Sequence, residues 1–140
     1  RLSRVGYDNT VGFLKGGFDA WEKSGKDFEV TKRIDGSELE TLYKNKKPLI
    51  IDVRKKSEFD SEHVIGAINV PLNEINQHLA QFPKDKPFVL HCAGGYRSMI
   101  AASILKQRGW LDFTDVRGCF EDISKTSIPK SEYVCPSTLL

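Results

Sequence analysis

A thiol followed closely by two glycines, an arginine and a serine has the makings of a nucleophile held in an anion cradle. Cys92-Ala93-Gly94-Gly95-Tyr96-Arg97-Ser98 is such a run. It follows the apolar stretch Pro87-Phe88-Val89-Leu90-His91 and precedes Met99-Ile100-Ala101-Ala102-Ser103-Ile104-Leu105, which has a helical pattern. The thiol thus falls where a buried strand ends and a helix begins, a place where unpaired N–H groups and the positive end of a helix dipole gather. Both favour the thiolate, which is the nucleophile. Gly94 and Gly95 admit backbone angles closed to other residues, so successive amides can face one point. Cys92 also fits a plainer reading, a small inert residue closing a core strand; the glycines, Arg97, Ser98 and the helix start turn the balance toward chemistry. Tyr96 is either a surface residue or a wall of the pocket. Arg97 either orients the loop by bonding its carbonyls, the favoured reading, or binds an anionic substrate.

The elements that must position this loop alternate between strand and helix. Val30 to Ile34 reads as a short strand, and Asp35-Gly36-Ser37 offers caps for a helix over Glu38 to Tyr43. Pro48-Leu49-Ile50-Ile51-Asp52-Val53 is a continuous apolar run of the kind found in doubly covered central strands. Ser57 is a plausible cap for a short helix through Asp60, and Gly66 to Val70 reads as a turn and strand stopped by Pro71. The pattern then predicts a helix from Asn73 to Gln81, a strand from Phe88 to Cys92 and a helix from Ser98 to Arg108. A last strand over Phe113 to Val116 and a helical turn over Phe120 to Ser124 complete the chain. The fold class is therefore α/β, a mainly parallel central sheet with helices on both faces. In that architecture sites lie at the carboxyl ends of strands, where Cys92 falls.

Composition narrows the function. A 140-residue chain with 39% hydrophobic and 29% charged residues is an ordinary globular composition, large enough for one core plus an appendage. A net charge of +2 with scattered lysines gives no footprint for nucleic acid. No apolar run approaches the roughly 20 residues needed to span a membrane. The three cysteines, Cys92, Cys119 and Cys135, are odd in number and widely spaced, which argues against a disulfide framework and for a reducing, cytoplasmic setting. His63, His78 and His91 make no metal-ligand spacing with them, so no metal is expected. The start carries no signal-peptide pattern, and Arg1 in place of an initiator methionine reads as a cut within a longer protein.

A weak internal repeat is present. Gly6-Tyr7 with Val11-Gly12-Phe13-Leu14-Lys15-Gly16-Gly17-Phe18-Asp19-Ala20-Trp21 parallels Gly109-Trp110 with Val116-Arg117-Gly118-Cys119-Phe120-Glu121-Asp122-Ile123. Each copy has a glycine–aromatic pair, a strand-like run, a glycine turn and an aromatic residue opening a helix. The spacing suggests tandem domains of one fold, with residues 1–27 the closing strand and helix of a preceding copy or a linker, 28–127 the main domain, and 128–140 a C-terminal tail. Phe13, Leu14, Phe18 and Trp21 must then dock, pair with another copy or stay exposed.

Taken together these residues resemble the rhodanese-like sulfurtransferase family over roughly residues 30 to 125. Three motifs carry the resemblance: Ile51-Asp52-Val53-Arg54 with Glu58 shortly after, His63-Val64-Ile65-Gly66-Ala67-Ile68-Asn69-Val70-Pro71, and the Cys92 to Ser98 loop. Leu14 to Trp21 also resembles that family's closing motif. With the ending Val134-Cys135-Pro136-Ser137-Thr138-Leu139, the whole is similar to rhodanese domains that close metallo-β-lactamase-fold proteins, so the resemblance implies an upstream domain of that fold in the parent chain.

The family implies that Cys92 accepts a sulfane sulfur and becomes a persulfide, with the amides of Ala93, Gly94, Gly95, Tyr96, Arg97 and Ser98 around the terminal sulfur. It implies no cofactor, and as partners small sulfur compounds (thiosulfate, glutathione persulfide) and thiol acceptors. Asp52 and Arg54 match its structural motif, with Arg54 expected to pair with a carboxylate such as Glu58. His63 and Asn69 read as turn and loop residues. His91 should point away from Cys92, to the other face of the sheet. Cys119 stands where the family has a second glycine and reads as a core substitution rather than a second thiol near the site.

Three functions remain in view. The first is ping-pong sulfur transfer through Cys92, in which the uncharged residues after the cysteine favour a persulfide donor over doubly charged thiosulfate. The second is a non-catalytic docking or sulfur-relay module of a larger protein. The third and weakest is a cysteine phosphatase, which would place five residues between Cys and Arg; here Ala93 to Tyr96 make four.

Overall fold

The computed structural model describes residue 9 and residues 11–135, and the chain divides into two units, 1–30 and 31–140. The glycine–aromatic pair Gly6-Tyr7 and the ending Pro136 to Leu139 lie outside the described residues. In the first unit Gly16 and Gly17, at φ 88° and 60°, turn the chain into helix α1 (Gly17–Lys23). Trp21 Nε1 donates to the Asp27 carbonyl at 3.1 Å, and the Phe18 and Phe28 rings meet edge to face at 5.2 Å. The expected strand before this helix does not form over residues 11–14, since a strand must pair its N–H and C=O groups with a neighbour. Val11, Phe13, Leu14 and Phe18 are exposed.

The second unit is built on five parallel strands: β1 (Arg33–Ile34), β2 (Leu49–Asp52), β3 (Ile68–Asn69), β4 (Phe88–His91) and β5 (Phe113–Val116), in the order β1-β5-β4-β2-β3. Between them run α2 (Gly36–Lys46), α3 (Lys56–Ser61), α4 (Tyr96–Gln107) and α5 (Cys119–Ser124). This is the α/β architecture that the sequence predicts, a parallel sheet with helices packed on both faces.

The period of two along each strand divides the core into two layers. Ile51, Val53, Leu90 and Cys92 pack with Phe88, Phe113 and with Ala101, Ala102 and Leu105 of α4. Ile50, Val89 and Val116 pack on the other side with Leu39 of α2 and Ile123 of α5. The register sets Ile51 beside Leu90 and Asp52 beside His91, so the carboxyl ends of the two central strands are level where the loop begins.

Several elements differ from the sequence reading in extent. The strands over 30–34 and 66–70 shorten to two residues each, and α4 begins at Tyr96 rather than Ser98. Helix α3 begins at Lys56, because the Glu58 carboxylate reaches back to the Lys55 N–H at 3.2 Å and takes over the cap assigned to Ser57. The expected helix from Asn73 to Gln81 is two 3₁₀ turns, Leu72–Glu74 and Leu79–Gln81. Ile75 and Phe82 are buried, with Leu72 and Leu79 packed beside them. The backbone bonds Glu74 to Pro71, Ile75 to Leu72, Gln77 to Glu74 and Phe82 to Leu79 all span three residues, the tighter winding of a 3₁₀ turn.

The segment after 127 is not a loose tail over its first residues. Ile128 is buried, Val64 and Lys130 form an antiparallel bridge, and the Val134 N–H donates to the Ser61 carbonyl at 2.8 Å.

No helix of the described residues is long and apolar enough to cross a membrane. Helix α2 opens with a reciprocal cap: Asp35 accepts from the Glu38 N–H at 2.9 Å, and Glu38 from the Asp35 N–H at 2.8 Å. Next to it, Gly36 lets α2 approach α5, since a Cβ there would stand 2.8 Å from the Asp122 carbonyl oxygen. Gly36→Ala is expected to lower the unfolding free energy by about 1–3 kcal/mol, read as a shift of the urea midpoint at unchanged slope. A loss below about 0.5 kcal/mol would show that the two helices part freely.

Candidate active site

Cys92 follows the last residue of β4 and is fully buried. The Gly95 N–H donates to its sulfur at 3.0 Å, and the sulfur lies 3.5 Å from Ser98 Oγ, which itself donates to the Gly95 carbonyl at 3.3 Å. Gly95 is the residue before α4 and has φ 77°, a left-handed conformation that glycine adopts without strain and that turns its amide onto the sulfur. Ala93 and Gly94 are exposed, Tyr96 is 52% exposed and Ser98 is buried, so the loop opens outward above a buried sulfur. Tyr96 therefore stands at the surface.

Beneath the loop lies a buried charged layer. Asp52 accepts from Arg54 Nε at 2.8 Å, lies 2.7 Å from Arg54 Nη2, and accepts the Arg54 backbone N–H at 2.9 Å; both side chains are buried. Arg54 Nη2 also donates to the Glu62 carbonyl at 2.7 Å, and its guanidinium lies 3.9 Å over the Phe120 ring. Asn69 fixes the strand end by donating to the Asp52 and Arg54 carbonyls at 2.9 and 3.0 Å. His63 Nδ1 contacts the Phe59 carbonyl at 2.7 Å, away from the sulfur, as a turn residue would.

His91 lies on the opposite face of the sheet from Cys92, stacked on Phe120, with Nδ1 donating to the Cys92 carbonyl at 3.4 Å. Burial pushes its pKa down, partly opposed by the Asp52 charge 3.6 Å from Nε2. It is a neutral structural imidazole with no path to the sulfur.

The structure corrects the pairing of the arginines. Arg54 belongs to Asp52, not Glu58, because residues two apart on an extended chain share a face and the buried Asp52 needs a partner. Glu58 instead grips Arg97 in a two-pronged pair at 2.5 and 2.9 Å. The Arg97 guanidinium therefore tethers the loop to α3 rather than bonding loop carbonyls.

Sequence reasoning missed a second ion pair. Arg33 of β1 donates to Asp115 of β5 at 2.9 Å, and its Nη2 lies 3.5 Å from where a Cβ of Gly95 would stand. A carboxylate inside the apolar run Phe113-Thr114-Asp115-Val116 was the available signal, since a buried aspartate calls for a cation. Cys119 is buried beside the same loop, its sulfur 3.4 Å from that Gly95 Cβ position. Cys135 is exposed.

A parallel sheet carrying a cysteine at the end of its central strand, with a glycine loop running from it into a helix, defines a class of cysteine-loop α/β domains. Residues 35–126 match the model of the rhodanese-like domain, and the chain belongs to that family. It is 33% identical over 92 residues to the uncharacterized protein YqhL of Bacillus subtilis, covering 66% of this chain and 71% of that protein. It is 27% identical over 90 residues to the thiosulfate sulfurtransferase GlpE of Coxiella burnetii, covering 64% of this chain and 84% of GlpE. With the probable adenylyltransferase/sulfurtransferase MoeZ of Mycobacterium tuberculosis it shares 37% identity over 79 residues, 55% of this chain but only 20% of MoeZ. Among solved structures, a rhodanese-related protein from Thermoplasma volcanium superposes with a TM-score of 0.62 at 29% identity, covering 71% of this chain and 97% of that one.

Two outcomes follow from the charged layer. Asp52→Asn leaves the buried Arg54 without its counter-charge and should cost about 3–5 kcal/mol of stability, measured by urea unfolding; a loss below about 1 kcal/mol would mean that the pair is not a structural support. Glu58 is held below its ordinary value of 4.5, chiefly by the hydrogen bonds from Arg97 and against the effect of burial. A carboxylate depressed in the folded state adds stability that is complete above its unfolded value and drains as the pH falls through the folded one. The stability gap between wild type and Glu58→Gln should therefore be widest near neutrality and narrow progressively as the pH falls below 4.5. A gap that stays constant across that range would refute the pairing as its origin.

Proposed function

We propose that this domain is a sulfurtransferase that moves a sulfane sulfur from a persulfide donor or thiosulfate to a thiol acceptor through a persulfide on Cys92. The observation that carries the reading is the Gly95 N–H aimed at the Cys92 sulfur from 3.0 Å at the start of α4. In the first half-reaction the Cys92 thiolate attacks the sulfane sulfur, the donor's S–S bond breaks, and sulfite or a donor thiolate leaves with the electron pair. In the second, the acceptor thiolate attacks the outer sulfur and Cys92 departs as a thiolate. The loop amides hold the anionic outer sulfur, and no general base is required. The names of the relatives, a thiosulfate sulfurtransferase and an adenylyltransferase/sulfurtransferase, support the same reaction class.

The electrostatics favour a persulfide over thiosulfate as donor. Both arginines near the loop are already matched by carboxylates, Arg97 by Glu58 and Arg33 by Asp115, and no cation directly follows Cys92, so the loop itself offers little positive charge to a dianion. Arg97 also lines a cavity of about 430 Å³ with Val53, Lys55, Ser57, Pro71 and Leu72, which has room for the body of a peptide thiol such as glutathione.

Intact mass before and after exposure to thiosulfate or glutathione persulfide tests the reading. Wild-type protein should gain one sulfur atom that cyanide or glutathione removes, Cys92→Ser should gain none, and glutathione persulfide should load the protein faster. Failure of both donors to add sulfur would overturn the proposal in favour of a docking role.

A further inference from the structure

Cys119 is a thiol where the chain's backbone asks for glycine. Its φ is 66°, close to the 60° of Gly17, its counterpart in the first unit's Gly16-Gly17-Phe18 turn. A side chain in that region is strained relative to glycine. Here the side chain is a sulfur placed beside the loop that holds the nucleophile. The Cys119 sulfur lies 3.4 Å from the Cβ position of Gly95, and the Gly95 nitrogen lies 3.0 Å from the Cys92 sulfur. Covalent geometry then puts the two sulfurs within about 9 Å of each other. A second measure is tighter. The Phe120 N–H donates to the Cys92 carbonyl at 3.0 Å, which holds the Cα atoms of Cys92 and Cys119 no more than about 8 Å apart. A disulfide spans about 4.4–6.8 Å between Cα atoms, so the backbones need to close by at most a few ångströms, with the two side chains turning toward each other past Gly95. Gly94 and Gly95 supply the give on one side, and relief of the left-handed strain at Cys119 supplies it on the other.

Resting on the persulfide reading of Cys92, we infer that Cys119 is a resolving thiol, which clears the Cys92 persulfide as hydrosulfide when no external acceptor takes the sulfur. The Cys119 sulfur attacks Cys92 Sγ, the inner sulfur of the persulfide. The bond to the outer sulfur breaks, a Cys92–Cys119 disulfide forms, and the outer sulfur leaves with the electron pair. The Cys119 proton goes to that departing sulfur, so the products are one disulfide and one hydrosulfide ion. The sulfane sulfur is reduced to sulfide and the two cysteine sulfurs are oxidised, with no outside oxidant. A dithiol reductant or glutathione then restores both thiols.

The surroundings of Cys119 set its place behind an external acceptor. Burial, together with the nearby Cys92 and Asp115 and against the Arg33 charge, pushes its thiol up to about 11. It therefore reacts slowly near neutrality and still carries the proton that the leaving sulfide needs. A free acceptor thiolate takes the sulfur first, and Cys119 acts on a persulfide left standing. Sulfide release and a locked, oxidised loop are the consequences, and the locked form accepts no further sulfur until reduced.

The test uses the full chain with Cys135→Ser to remove the third thiol, alongside Cys119→Gly, which restores a residue suited to the left-handed position, and Cys119→Ser. Each protein is loaded anaerobically, freed of donor and acceptor, and followed by intact mass, peptide mapping and sulfide assay. The protein that retains Cys119 should convert the one-sulfur adduct to a species two hydrogens lighter than the reduced chain, with a Cys92–Cys119 peptide and one equivalent of sulfide. Both Cys119 variants should take up the sulfur and keep it at least about tenfold longer. Equal decay with and without Cys119, or sulfide release with no Cys92–Cys119 peptide, would overturn the inference while leaving the sulfurtransferase reading intact. Absence of any adduct in all three proteins would overturn both.

Discussion

Asp52 is a carboxylate withdrawn from water at the end of a central strand, and the site is organised around its neutralisation. A buried charge of this kind must be paired and hydrogen-bonded to persist. Arg54 satisfies it through both its guanidinium and its backbone N–H. That requirement fixes the path of the chain as it leaves the sheet, with Asn69 bonded to the carbonyls on either side of the turn. It also draws the Arg54 guanidinium over Phe120, whose own backbone N–H holds the carbonyl of Cys92. Cys92 is thus positioned through a short chain of contacts that begins at a charge pair on a neighbouring strand.

The same strand geometry keeps charge and sulfur apart. Asp52 and His91 are register partners and project into the layer that contains Phe120, whereas Cys92, one residue on, projects into the apolar layer under α4. Period two along the strand makes this separation unavoidable. A histidine adjacent in sequence to a nucleophile is therefore no general base in this chain. What reaches the sulfur is a backbone amide and a serine hydroxyl, and an amide cannot change its protonation state. An amide cradle of this kind suits the proposed reaction, which returns the same thiolate at the end of each cycle.

The sequence made the fold legible because its strongest signals were local. Continuous apolar runs at Leu49 to Val53 and Phe88 to Cys92 marked central strands, and the glycines after Cys92 marked the turn into a helix. The nucleophile's position at a strand end followed from those runs alone. Pairings between distant segments were not local and were not legible. Glu58 and Arg97 are 39 residues apart, and Arg33 and Asp115 are 82 apart, so nothing in either neighbourhood names its partner. The stretch from Leu72 to Phe82 has helix-like apolar spacing, yet the core accepts Ile75 and Phe82 only with the backbone wound more tightly at both ends. Propensity gave way there to the depth at which the side chains had to seat.

In the proposed sulfur-transfer reading, substrate choice follows from what the ion pairs leave over. An arginine already bound to a carboxylate on both prongs has little left for a ligand, and each loop arginine is so engaged or shares its charge with a buried aspartate. Within the loop itself the positive character is that of N–H dipoles, which act over a short range and suit one polarizable anionic sulfur better than a bulky dianion. A cation directly after the cysteine would pull doubly charged donors toward the site, but Ala93, Gly94 and Gly95 supply none. Small residues at the loop's apex leave room for a larger thiol-borne donor, and the fixed pair beneath keeps the amide on the sulfur whichever donor arrives.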